Sequence, residues 1–189
     1  MKASSLPSAA TILDALLHPP GPGGRMGYGE DLAAIIEPVL ALHRNNAEQW
    51  DREDDARQDN ADDAMVAAAK RDIDQLNRAR HAFIEAIDRA VLRTIKPREG
   101  APWVTESPGT AIDRLSVLVI RLASTEARAA SATIDAGHFA ERLPRLQEQL
   151  DALEEAIATL LDDLTQGTRR FLPYEGLKLY GPGGPESVG

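Results

Sequence analysis

His43, Trp50, Asp54 and Arg57 recur along the chain at intervals that put them on one line of a helix. At 100° per residue they fall within an arc of about 80° together with Ile36, Val39 and Ala47, and Glu53 sits on its edge. This stretch, "LHRNNAEQWDREDDAR", sets charge where a core takes Leu. An imidazole, two carboxylates and a guanidinium on one face have the makings of an acid–base and anion-binding site. His43 is the only one of them that titrates naturally near neutral pH.

A second segment raises the same question. Its apolar seam runs through Val66, Ala69, Ile73 and Leu76, then meets Arg80 before Phe83, Ile87 and Ala90. A guanidinium on such a seam needs an anionic partner, and Glu126 or Asp54 is the expected one. Lys70 and Asn77 flank the same seam. The candidate site therefore comprises His43, Glu53 and Asp54 as proton-exchanging or orienting groups, with Trp50, Arg57, Lys70, Asn77, Arg80 and Glu126 as ligand-binding groups. In this reading the charges line a hydrated interior pocket. The competing reading is a buried ion-pair network that only fixes helix register.

Other chemistries lack support in the sequence. Zero Cys removes disulfides, thiolate nucleophiles and cysteine metal sites. The carboxylates between Asp51 and Asp63 read as a solvated helix end and loop, Glu85 points away from the seam, and no metal and no cofactor are expected. His138 and Glu141 reverse the Glu-x-x-His order of a di-iron site. The "GPGG" runs lack the strand a phosphate-binding loop needs.

The elements that must position these residues are helical. Steps of three and four recur in four long segments: from about Asp31 to Arg57, from Asp62 and Asp63 through Ala90, from "SPGT" through Thr133, and from Leu143 to Leu164. Aromatic residues are only 4%, and alternating apolar and polar runs are absent, so strands are not expected. The fold class is all-α: four long helices in an antiparallel bundle, with a short N-terminal helix and an irregular C-terminal tail. The expected divisions are residues 1–29 for the short helix and Gly/Pro linker, 30–167 for the bundle, and 168–189 for the tail. The unbroken Leu/Ile seam of the last helix assigns it to packing alone.

At 189 residues the chain suffices for one core. Its 21 basic and 30 acidic residues give a net charge of −9, which disfavours nucleic acid. No apolar run approaches the roughly 18 residues of a membrane span, and the N-terminus makes a poor secretory signal, so a soluble cytoplasmic protein is expected. Ile12, Leu13, Leu16 and Leu17 lack an obvious partner within their own bundle, which points to a homodimer.

In order along the chain, "LHRNNAEQWDREDDAR", "KRDIDQLNRARHAFIEAIDRAV" and "ESPGTAIDRLSVLVIRL" resemble the signature blocks of the bacterial domain-of-unknown-function family 4254. The ending "GTRRFLPYEGLKLYGPGG" is similar to a degraded version of that family's. The resemblance implies an all-helical protein that accompanies bacterial biosynthetic genes, and it implies no named activity. Its matching polar positions include His43, Asn45, Trp50, Glu53, Asp54, Arg57, Lys70, Asn77, Arg80, Asp113, Arg114 and Ser116. The sequence departs from the family at Asp51 and Ser124, where many members are expected to carry His. The resulting expectation is a protein that binds a small anionic or zwitterionic metabolite in a charged pocket between helices. Whether it converts that metabolite is open, and the alternative is a non-enzymatic scaffold.

Overall fold

The computed structural model describes residues 6–21, 24, 27–56, 63–132 and 134–175. Arg57 and Asp62, both singled out from the sequence, lie outside the described residues. Among the described residues six helices follow in order: α1 (Ala9–Leu17), α2 (Glu30–Ala56), α3 (Asp63–Thr94), α4 (Pro108–Ala129), α5 (Ala136–Ala140) and α6 (Leu143–Thr165). The chain is all-α. The only strand-like feature among the described residues is one parallel bridge between Trp103 and Arg170. No helix among them is long and apolar enough to cross a membrane.

Local chemistry explains the helix starts. Ser8 caps α1, its hydroxyl accepting from the Thr11 N–H at 3.1 Å. Ser107 caps α4 in the same way, accepting from Thr110 N at 3.3 Å, and Pro108 occupies the first turn, where a missing N–H costs nothing. Pro38 lies inside α2 rather than at a break between two helices.

α4 is the central element. α2 and α3 pair along their lengths and both pack on α4, while α6 packs on α4 and α1. The buried seams interlock in one core that includes Ile36, Val39, Ile87, Ile112, Leu115, Ile157 and Leu164. The expectation that the N-terminal apolar residues lack a partner in their own chain is corrected. Ile12, Ala15 and Leu16 are buried against the common core, because α1 packs between α2, α4 and α6. Only Leu17 is left substantially exposed. The argument for a homodimer from this helix therefore falls away.

Residues 166–175, which follow α6, are irregular but anchored. Gly167 turns the chain with φ +70, in a space where a Cβ would lie 2.8 Å from the Lys96 carbonyl oxygen. Val104 N then donates to Arg170 O at 2.9 Å, the Arg170 guanidinium lies over the Trp103 ring, and Phe171 is buried.

Candidate functional site

Arg80 reaches from α3 to α4 and grips Asp113. Nε donates to Oδ1 at 2.8 Å and Nη2 to Oδ2 at 2.5 Å, a two-pronged contact that matches the guanidinium fork to the carboxylate. Asp113 is buried, whereas 28% of the Arg80 side chain is exposed. The bonds to Asp113 outweigh burial and hold the Arg80 pKa above its ordinary value. The partner expected from sequence was Glu126 or Asp54. Glu126 is exposed on α4, and Asp54 pairs with Arg128 at 2.8 Å.

The pair belongs to a wider polar cluster between α2, α3 and α4. Asn46 Nδ2 donates to Asp113 Oδ1 at 3.0 Å and to Ser116 Oγ at 3.1 Å, and Ser116 Oγ shares a hydrogen bond with His43 Nδ1 at 3.0 Å. Burial lowers the His43 pKa, and the charge of Arg44 lowers it further, so the ring is neutral at pH 7. Ser116 is 0% exposed and His43 8%, so the pair is enclosed between the helices. Asn45 ties α2 to α3 by donating to the Leu76 carbonyl at 3.1 Å.

Arg80 has a second face. It borders a cleft of about 660 Å³ between α4 and α6, where Arg114 and Arg121 join it and Ala152, Leu153 and Ala156 of α6 form an apolar wall. A neighbouring cleft of about 510 Å³ is bordered by Trp50, Phe139, Arg128, Arg142 and Arg145, and it shares Arg121 and Gln149 with the first. Guanidinium groups are thus concentrated along one groove of a protein whose net charge is −9. Arg80, Arg114, Arg128 and Arg145 are matched by Asp113, Glu106, Asp54 and Glu148, while Arg121 has no carboxylate partner among the described residues.

A third arrangement ties α3 to the start of α4 and to Tyr174. Asp88 of α3 is 0% exposed; its Oδ1 accepts from Gly109 N at 2.7 Å and its Oδ2 from Tyr174 N at 2.8 Å. Burial raises the Asp88 pKa, while bonds from Ser107 and these two amides oppose the rise. Only glycine fits at 109, since a Cβ there would stand 2.5 Å from the Ile84 carbonyl oxygen. Tyr174 also stacks on His81, with ring centroids 5.3 Å apart, and its hydroxyl shares a 2.6 Å hydrogen bond with His81 Nδ1.

The model of a family described as protein of unknown function (DUF4254) matches residues 37–172, from within α2 to the anchored tail. The chain belongs to the DUF4254 family. No curated protein and no solved structure matches it.

In this DUF4254 chain the residues expected at one interior site are only partly brought together: Arg80 and His43 are linked through Asp113, Asn46 and Ser116, and the others lie elsewhere. Arg80 faces the α4–α6 cleft, and Trp50 borders the neighbouring one beside the Asp54–Arg128 pair. His43 belongs to the enclosed cluster. Eleven residues of α2 separate His43 from Asp54, about 16 Å along the axis, so the two cannot exchange a proton directly. Glu53 accepts from Gln49 Nε2 at 3.3 Å and adds to the field at Arg80. Lys70 is exposed and Asn77 half-buried on α3, and neither borders the two clefts. Among the described residues no group of three or more His, Asp or Glu side chains is placed to hold a metal ion.

Asp113, Ser116 and Arg114 entered the sequence reading only as positions that match the family, without a role in the site, and Arg121 and Arg128 did not enter it. Asp113 and Ser116 lie beside the seam residues Ile112 and Leu115, where one turn of helix leaves room for a polar edge. Arg114, Arg121 and Arg128 recur every seventh residue, a signal present in the sequence but facing a groove that exists only once α6 has packed.

Proposed function

We propose that this protein binds a small anionic metabolite in the arginine-lined groove between α4 and α6. The observation that carries this reading is the approach of Arg80, Arg114 and Arg121 to one open cleft of about 660 Å³ with an apolar wall on α6. Guanidinium groups recognise carboxylate and phosphate oxygens through paired N–H donors, and an apolar wall accommodates the rest of a metabolite. Arg121 has no carboxylate partner among the described residues, so its donors are available to a ligand. A zwitterion is accommodated by the same groove, because Glu106 stands at its edge, 2.7 Å from Arg114. In this reading the pocket lies on the α4–α6 side of Arg80 rather than in the α2–α3–α4 interior that the sequence suggested.

The test is a thermal-shift screen of the full chain against sugar phosphates, nucleotides, nucleotide sugars and amino acids. A ligand at 100 times its dissociation constant adds about 2.7 kcal/mol of stability, a shift easily read. Arg121→Gln abolishes that shift if the groove is the site. If no anion in the screen moves the transition, the reading fails.

A second reading, a non-enzymatic scaffold whose interior charges set helix register, draws support from the enclosed His43–Asn46–Ser116–Asp113 cluster. Under it, no small molecule in the screen stabilises the chain.

A further inference from the structure

The two clefts along α4 share Arg121 and Gln149 and are both walled by α6, which makes them consecutive parts of one groove. Resting on the anion-binding reading above, we infer that the groove takes an elongated ligand with an anionic group at each end. One anion lies near Arg114 and Arg80, the other near Arg128 and Arg142, with Arg121 between them.

The spacing of the arginines argues for this. Arg114, Arg121 and Arg128 are seven residues apart, so they keep to one line of α4 with only about 20° of drift per step. The rise of the helix separates successive members by about 10.5 Å, and the outer two by about 21 Å. A single phosphate or carboxylate cannot bridge such a gap, so one small anion leaves part of the row unused. The outer arginines are paired in exposed contacts, Arg114 with Glu106 and Arg128 with Asp54. Pairs of this kind are worth little and leave further N–H donors for a ligand oxygen.

The two ends differ in ways that suit one asymmetric molecule. Around Arg114 and Arg80 the wall is aliphatic. At the other end Arg128 and Arg142 both lie against the Phe139 ring, 5.5 and 5.8 Å from its centroid, which holds two guanidinium groups around one ring before any ligand arrives. Trp50 borders this end, and its indole Nε1 is enclosed with no hydrogen-bond partner.

A molecular ruler tests the inference. The full chain is titrated calorimetrically, at fixed ionic strength, with linear α,ω-bisphosphonates of increasing spacer length and with the matching monophosphonates. Bisphosphonate affinity is expected to pass through a maximum at one spacer length and to exceed the monophosphonate there by about tenfold or more, since the second contact forms within the complex. Arg114→Gln and Arg142→Gln should each erase the maximum and bring the bisphosphonate down to the monophosphonate level. Both side chains lie at the surface of the groove, and unchanged denaturant midpoints show that the variants fold. Affinity independent of spacer length, or a maximum indifferent to Arg142→Gln, overturns the two-anion inference and leaves single-anion binding standing. Binding of no phosphonate at all overturns both.

Discussion

Arg80 and Asp113 join α3 to α4 through two parallel hydrogen bonds, and Asn46 of α2 donates to the same carboxylate. Three helices therefore depend on one buried anion. Removing the guanidinium in Arg80→Met strands Asp113 with a single amide donor, and the fold should lose about 3 kcal/mol. Replacing both partners, as in Arg80→Met with Asp113→Leu, should recover most of that loss. Denaturant midpoints of the two variants decide the matter; a loss below about 1 kcal/mol in the single variant would mean that water reaches Asp113.

Gly109→Ala should cost at least about 2 kcal/mol, because the new methyl group would sit 2.5 Å from the Ile84 carbonyl oxygen and 2.9 Å from Asp88 Oδ1. Neither contact belongs to the tip of a long flexible side chain. The α3–α4 junction must widen, and the Gly109 N–H bond to Asp88 lengthens with it. Equal stability of variant and wild type would show that the junction has slack.

The His43 imidazole, buried beside Arg44 and bonded to Ser116, has its pKa lowered by the fold. The unfolded chain therefore binds more protons than the folded one below about pH 6.5. The stabilising effect of the neutral ring is complete above that value and declines as the pH falls beneath it. His43→Gln keeps a polar partner for Ser116 and removes the titration. Asp88, whose raised pKa acts with the opposite sign, contributes equally to both proteins and cancels. Midpoints at pH 7.5, 6.5 and 5.5 should fall more steeply for wild type than for His43→Gln, and parallel curves would count against a neutral histidine.

Arg121→Gln should leave the denaturant midpoint where it is and remove the stabilisation by an anionic ligand. The side chain is exposed and has no carboxylate to abandon among the described residues. An unchanged ligand shift in this variant would place the anion elsewhere on the molecule.

Much of the helical order was legible because periodicity reports directly on burial. Ile36, Val39, Ile87, Ile112, Leu115 and Ile157 all lie where steps of three and four put them. The central position of Arg80 on its seam was legible for the same reason. Its partner was not, since a long side chain reaches across to the neighbouring helix, and the register between helices is a property of packing. Asp113 lies about 100° around α4 from Ile112, at the edge of the apolar arc, and strict seam reasoning passes over it. The groove was hidden more deeply. Arg114, Arg121 and Arg128 read as a solvated face until α6 closes over part of it, and the Leu/Ile seam of α6 gave no hint that its Ala152, Leu153 and Ala156 would wall a cleft. The burial of α1 was also beyond reach, because the Gly/Pro segment that follows it leaves its direction undetermined.

Asp88 ties together parts of the chain at very different distances: its bond to Gly109 closes a span of 21 residues, and its bond to Tyr174 a span of 86. The loop entropy lost in the second closure exceeds that in the first by about 1.2 kcal/mol. The tail's closure is therefore the costlier of the two, and an opening that frees the tail from Asp88 is expected to cost less than one that parts α3 from α4. The amide proton of Tyr174 then exchanges with solvent through a local opening, whereas that of Gly109 waits for the α3–α4 junction itself to come apart.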